Sequence, residues 1–93
     1  MAYRFALIGC GMVGRHHIAA IRGVPGARLV AVCDVREPAA QQFGAEASVP
    51  WFTNVQAMLE SARPDVVNIC TPSGLHLEPA LACIEAGVHV VVE

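Results

Sequence analysis

The segment from Tyr3 to Gly9 alternates Phe5 and Leu7 with Ala6 and Ile8, so a strand here would be apolar on both faces. Such a strand must be covered on each side. Parallel sheets flanked by helices provide that cover, whereas antiparallel sheets with one wet face do not. The next segment meets the demand. A helix is expected from about Met12 to Arg22, with Val13, His17, Ala20 and Ile21 on one inward stripe, and Gly23, Pro25 and Gly26 supply its stop. A second strand is expected from Leu29 to Asp34.

The rhythm of strand, turn and helix continues. Pro38 to Phe43 reads as a short helix with proline in its first turn and Gly44 just past its end. Pro50, Trp51 and Phe52 allow only a brief third strand, placed at an edge because proline cannot donate to a ladder. Thr53 with Gln56 forms a capping-box pattern, and Val55, Met58, Leu59 and Ala62 give the stripe of a helix that stops before Pro64. Val66 to Cys70 is a β-branched run, Thr71 to Gly74 a turn, and Leu77, Leu81 and Ile84 mark a helix capped by Gly87. Val88 to Val92 is the fifth strand. This alternation predicts an α/β, doubly wound parallel sheet, the three-layer Rossmann arrangement, with residues 1–93 as one unit.

Composition narrows the function. Six Lys plus Arg against eight Asp plus Glu, a formal net charge of -2, point away from nucleic acid. With 55% hydrophobic and 15% charged residues the chain is not of a disordered type. No apolar run approaches the roughly 18 residues of a spanning helix, and Met1 to Gly9 lacks the parts of a signal peptide. A cytoplasmic protein with no membrane partner is expected. Cys10, Cys33, Cys70 and Cys83 include no C-x-x-C pair and read as small buried hydrophobes. Cys10, Cys33 and Cys70 would nevertheless all lie near the carboxyl ends of strands, where a metal or an oxidised pair could form. No metal is expected.

Gly9, Gly11 and Gly14 spell G-x-G-x-x-G at the junction of the first strand and the first helix. Gly9 permits a tight turn, Gly11 lets backbone approach a pyrophosphate, and Gly14 lets the helix pack closely on the sheet. The unpaired amides near Met12 and Val13 would then face the anion. Asp34, twenty residues beyond Gly14, stands where an acidic side chain accepts from an adenosine ribose, which favours NAD over NADP. Arg36 could swing over a 2′-phosphate and weaken that preference. Thr71, Pro72, Ser73 and His76 follow the fourth strand, beside the expected switch point, and could border the nicotinamide half or simply be turn chemistry. Arg15 could reach the pyrophosphate or lie solvated on the surface. His16 and His17 point about 100° apart and cannot jointly hold one metal. His17 is expected to be packed or hydrogen-bonded, and His89 to be structural.

Taken together, Gly9-Cys10-Gly11-Met12-Val13-Gly14-Arg15-His16-His17, Asp34, Thr71-Pro72-Ser73-Gly74-Leu75-His76 and Gly87-Val88-His89-Val90-Val91-Val92-Glu93 resemble the Gfo/Idh/MocA oxidoreductases over essentially the whole chain. In that family the glycine loop continues to a helix histidine, matched by His17, and a T-P-x-x-x-H segment follows the fourth strand, matched by Thr71, Pro72 and His76. The resemblance implies hydride transfer between NAD, or NADP, and a sugar, cyclitol or nucleotide-sugar carbon. The T-P-S-G-x-H wording is similar to members acting on nucleotide-linked amino sugars. Glu93 matches the glutamate of an E-K-P signature at the cofactor. The family's proton-transferring lysine would follow it, as would a last strand and a second domain holding the substrate. The resemblance thus implies an incomplete cofactor domain with no catalytic residue of its own, inactive alone and a homo-oligomer when intact. Two other readings stay open, a stand-alone dinucleotide-sensing module and a methyltransferase using S-adenosylmethionine. The latter leaves the T-P-x-x-x-H segment without a role.

Overall fold

The computed structural model describes residues 3–71 and 77–92. These form a five-stranded sheet in the order β3-β2-β1-β4-β5, every neighbouring pair parallel. The elements are β1 (Tyr3–Ile8), α1 (Met12–Arg22), β2 (Ala27–Cys33), α2 (Glu37–Ala47), β3 (Trp51–Phe52), α3 (Val55–Ala62), β4 (Val66–Ile69), α4 (Leu77–Glu85) and β5 (His89–Val92). From β1 the chain winds outward through β2 to β3, then returns to add β4 on the other side of β1. The carboxyl ends of β1 and β4 therefore flank the point where the winding reverses, the place for a ligand crevice in such sheets.

Both faces of the sheet are covered, as the two-sided apolar pattern of β1 requires. Leu7 packs with Leu29 and Val32 under Ile21 of α1 and Phe43 and Ala47 of α2. Ala6 and Ile8 face the other way, with Val67 and Ile69, under Met58, Leu59 and Ala62 of α3 and Cys83 of α4. The alternation breaks once. Phe5 pairs with Leu29 but Ala6 pairs with Ala31, so Val30 is an extra residue in β2, and it packs with Ala31 on the α3–α4 side.

Four local expectations are corrected. Helix α2 runs through Gly44 to Ala47. A Cβ at Gly44 would lie 2.9 Å from the Trp51 Cβ, so this glycine admits β3 against the helix and does not stop it. Ser48, in the left-handed region at φ 57, ends α2 and donates its N–H to the Gly44 carbonyl. Helix α3 is capped by Asn54, whose Oδ1 accepts from the Ala57 N–H at 2.9 Å, in place of the Thr53–Gln56 box. On α1 the inward residues are Gly14, His17, Ile18 and Ile21, while Val13 and Ala20 are exposed. Among the described side chains of α4 Cys83 is the buried one, and Leu81 and Ile84 face outward. Gly87, at φ +76, ends α4 by donating to the Ile84 carbonyl, and Val88 donates to that of Cys83.

Candidate functional site

At the carboxyl end of β1, three strands are tied together by backbone. The Gly9 N–H donates to the Cys33 carbonyl at 2.8 Å, and the Cys70 N–H to the Ile8 carbonyl at 2.7 Å. Gly9 turns the chain at φ +102, and a Cβ there would lie 2.7 Å from the Cys70 carbonyl carbon. A Cβ on Gly14 would lie 2.6 Å from the Gly9 oxygen, so α1 sits directly on its own entry turn. Gly11 is different. Nothing lies within 4 Å of its Cβ position, and its φ of -129 is ordinary extended backbone.

Helix α1 begins beneath that open space. Its first internal bond runs from the Arg15 N–H to the Gly11 carbonyl, which leaves the amides of Met12, Val13 and Gly14 without a helical acceptor. Gly11 has no side chain to cap them, and no acidic residue occupies the first turn. Donors and helix dipole together make this a place for an anion, and the missing Cβ lets the anion come close. Met12 and Val13 are exposed beside it.

Asp34 lies next to the glycine turn, at the end of β2. It is 7% exposed, and its carboxylate accepts from the Cys10 N–H (2.8 Å), the Arg36 N–H (2.8 Å), Arg36 Nε (3.1 Å) and Arg36 Nη2 (2.9 Å). Burial alone would raise its pKa. The Arg36 side chain, the two backbone N–H groups and the guanidinium charge outweigh burial and hold the carboxyl below its ordinary value. Arg36 also donates from Nη2 to the Cys10 carbonyl at 3.3 Å, bridging the turn and the strand end. Val35, 83% exposed, is an apolar surface directly beyond Asp34. Sequence reasoning passed over Val35 because nothing local distinguishes a turn valine from a core valine.

Thr71, half-buried, follows β4, on the opposite side of β1 from Asp34. Pro72, Ser73, His76 and Glu93 lie outside the described residues. Arg15 turns to α2, where its guanidinium is paired with both oxygens of Glu46 and stacks 4.7 Å over the Phe43 ring. His17 Nδ1 and Asn68 Nδ2 are 2.8 Å apart, joining α1 to β4, while the buried Asn68 Oδ1 has no hydrogen-bond partner. The sequence predicts a packed or hydrogen-bonded His17, but not its partner on β4. Burial, followed by the Asp34 charge, pushes the Cys10 thiol up to about 12, and burial first of all pushes Cys33 up to about 11. Both are neutral packing groups. All four cysteines are free, and among the described residues no three His, Cys, Asp or Glu side chains converge on a metal position. Among the same residues no helix is long and apolar enough to cross a membrane.

Residues 3–93 match the model of a family described as an oxidoreductase family with an NAD-binding Rossmann fold, GFO_IDH_MocA. The chain is 40% identical to the D-glucoside 3-dehydrogenase of Escherichia coli (strain K12), over 97% of this chain and 26% of that protein. It is 33% identical to inositol 2-dehydrogenase 1 of Saccharopolyspora erythraea, over 100% of this chain and 28% of that one. Its structure is similar to the WlbA dehydrogenase of Bordetella pertussis in complex with NADH and UDP-GlcNAcA, with a TM-score of 0.93 and 36% identity, covering 99% of this chain and 29% of that one. The chain thus spans between a quarter and a third of the length of these relatives.

Proposed function

The chain belongs to the Gfo/Idh/MocA oxidoreductase family as an NAD-binding Rossmann domain, and from that premise we propose that its part in catalysis is to hold the dinucleotide at the carboxyl ends of β1, β2 and β4. The pyrophosphate lies over Gly11 on the amides of Met12, Val13 and Gly14, and Gly9 sets the turn. Asp34 takes the adenosine ribose, with Arg36 and Val35 beside it. The nicotinamide half extends toward Thr71 and the segment of Pro72, Ser73 and His76, and Glu93 borders it. The observation that carries this reading is the uncapped start of α1 beneath the open position at Gly11, immediately beside a buried carboxylate.

The bound nicotinamide supplies the hydride donor or acceptor. The residues of this chain bind and orient it, and none is assigned as the acid or base. The enzyme acts on a carbohydrate-type carbon, of a sugar, a cyclitol or a nucleotide sugar. The glucoside and inositol dehydrogenases and the UDP-GlcNAcA complex among its relatives support that substrate class. Family membership leaves the methyltransferase alternative without support. Calorimetric titration with NAD, NADP and S-adenosylmethionine tests the reading. NAD is expected to bind more tightly than NADP, and S-adenosylmethionine not at all. Saturable binding of S-adenosylmethionine with none of NAD would overturn it.

A further inference from the structure

An ionised carboxylate offers about four acceptor positions, two on each oxygen. Asp34 uses all of them. Oδ1 accepts from the Arg36 N–H and Arg36 Nε, and Oδ2 from the Cys10 N–H and Arg36 Nη2. Two of these donors are backbone and fixed by the fold. The other two belong to one guanidinium whose side chain is 65% exposed, while that of Asp34 is 6% exposed. A ribose diol also brings two hydroxyl donors. It can reach Asp34 only where the guanidinium now sits.

We propose that Arg36 is a displaceable self-ligand of the ribose site, holding the Asp34 carboxylate filled until the cofactor's diol takes its two bonds, and that this exchange sets the chain's choice between NAD and NADP. The inference rests on the proposed placement of the cofactor and names what controls selectivity there. The guanidinium is the movable partner because most of it is already in water, whereas the two backbone donors are held by the fold. Its bond to the Cys10 carbonyl breaks in the same movement, so the glycine turn loses a brace just as the pyrophosphate supplies another. With NAD, the diol gains two acceptors and Arg36 is released. With NADP, the 2′-phosphate removes one hydroxyl donor and is repelled by Asp34, but the released guanidinium can pair with it in a forked, charge-assisted geometry. Arg36 therefore competes with NAD and assists NADP. Asp34 alone would discriminate more sharply than the pair does.

The test is Arg36→Ala in this chain, titrated with NAD and with NADP and compared with the unaltered protein. Because the displaced Arg36 side chain is 65% exposed, NAD should bind about threefold more tightly to the variant. NADP should bind at least about tenfold more weakly, since a charged hydrogen-bond partner is lost. Arg36→Lys, a point charge that cannot span both carboxylate oxygens, should fall between the two. The Arg36 Nε–H resonance of the unaltered protein should move toward its solvent-exposed position as NAD is added. An NAD affinity that is unchanged or weaker in Arg36→Ala, or an Nε–H resonance indifferent to NAD, overturns the self-ligand. Should Arg36→Ala lose its folded circular dichroism, the Lys variant and the resonance decide. Failure of the underlying reading looks different. There, Gly11→Val would keep full NAD affinity, or the unaltered protein would bind neither dinucleotide and the self-ligand would have nothing to yield to.

Discussion

Two glycines three residues apart, Gly11 and Gly14, answer to opposite constraints. A side chain at Gly11 meets nothing in the protein, whereas one at Gly14 runs into the Gly9 oxygen at 2.6 Å and Leu7 Cδ2 at 3.1 Å. Gly11→Val should therefore leave circular dichroism and the unfolding midpoint unchanged while abolishing NAD binding. Gly14→Ala should destabilise the fold by about 1–3 kcal/mol, read by denaturant unfolding, because a backbone oxygen cannot move aside. Asp34 gives a pH test. Its folded pKa is held below the ordinary value of 3.8, so its contribution to stability is complete above the unfolded pKa and is lost as pH falls through the folded one. Unfolding free energies of the unaltered protein should thus drop on going from about pH 6 to about pH 3. Asp34→Asn should be less stable at the upper pH and should lose less between the two.

At the scale of elements, α1 is fixed to the sheet at two places along its length. Gly14 seats its start on the glycine turn, and His17 with Asn68 joins its middle to β4 across 2.8 Å. That second tie joins the helix that follows β1 to β4, the strand whose carboxyl end flanks the reversal point together with that of β1. Replacing either partner leaves a buried polar group with fewer bonds. A double-mutant cycle of His17→Ala and Asn68→Ala should therefore give a coupling energy of about 1 kcal/mol in unfolding experiments. A cycle that closes at zero would mean that the two side chains stabilise the chain independently.

Across the whole molecule, cover is uneven. The α1–α2 and α3–α4 layers bury Leu7, Val32, Val67 and Ile69 completely, yet Leu81 and Ile84 on α4 and Val91 and Val92 on β5 are 45–61% exposed. β5 pairs with β4 alone among the described strands, so one row of its backbone groups is free to pair. An open strand beside exposed aliphatic side chains favours association. Sedimentation velocity should show concentration-dependent self-association of this chain, reduced by Leu81→Lys combined with Ile84→Lys. A monodisperse monomer at all concentrations would show that the open edge is adequately protected as it stands.

Sequence by itself determined the class of fold and the type of site. Residues apolar at both parities in β1, β-branched runs, and turns of glycine and proline at intervals are local signals, and local periodicity reports which faces an element must bury. The glycine spacing and Asp34 were legible for the same reason, since a strand, a turn and a helix start adjacent in sequence are adjacent in space. What the tertiary structure decided was every feature that depends on a distant partner. Gly44 has the local signature of a helix stop, but Trp51 packs against it from β3, and only the pairing with β1 makes Val30 a bulge. Leu81 and Ile84 satisfied a helical stripe, but the sheet selected the Cys83 face of α4, where smaller neighbours let the helix approach. Arg36 lies two residues from Asp34, and still no pattern foretold that it fills the carboxylate. That follows from burial of Asp34 at the end of β2, which leaves a charge needing partners, and the flexible cation two residues on supplies them.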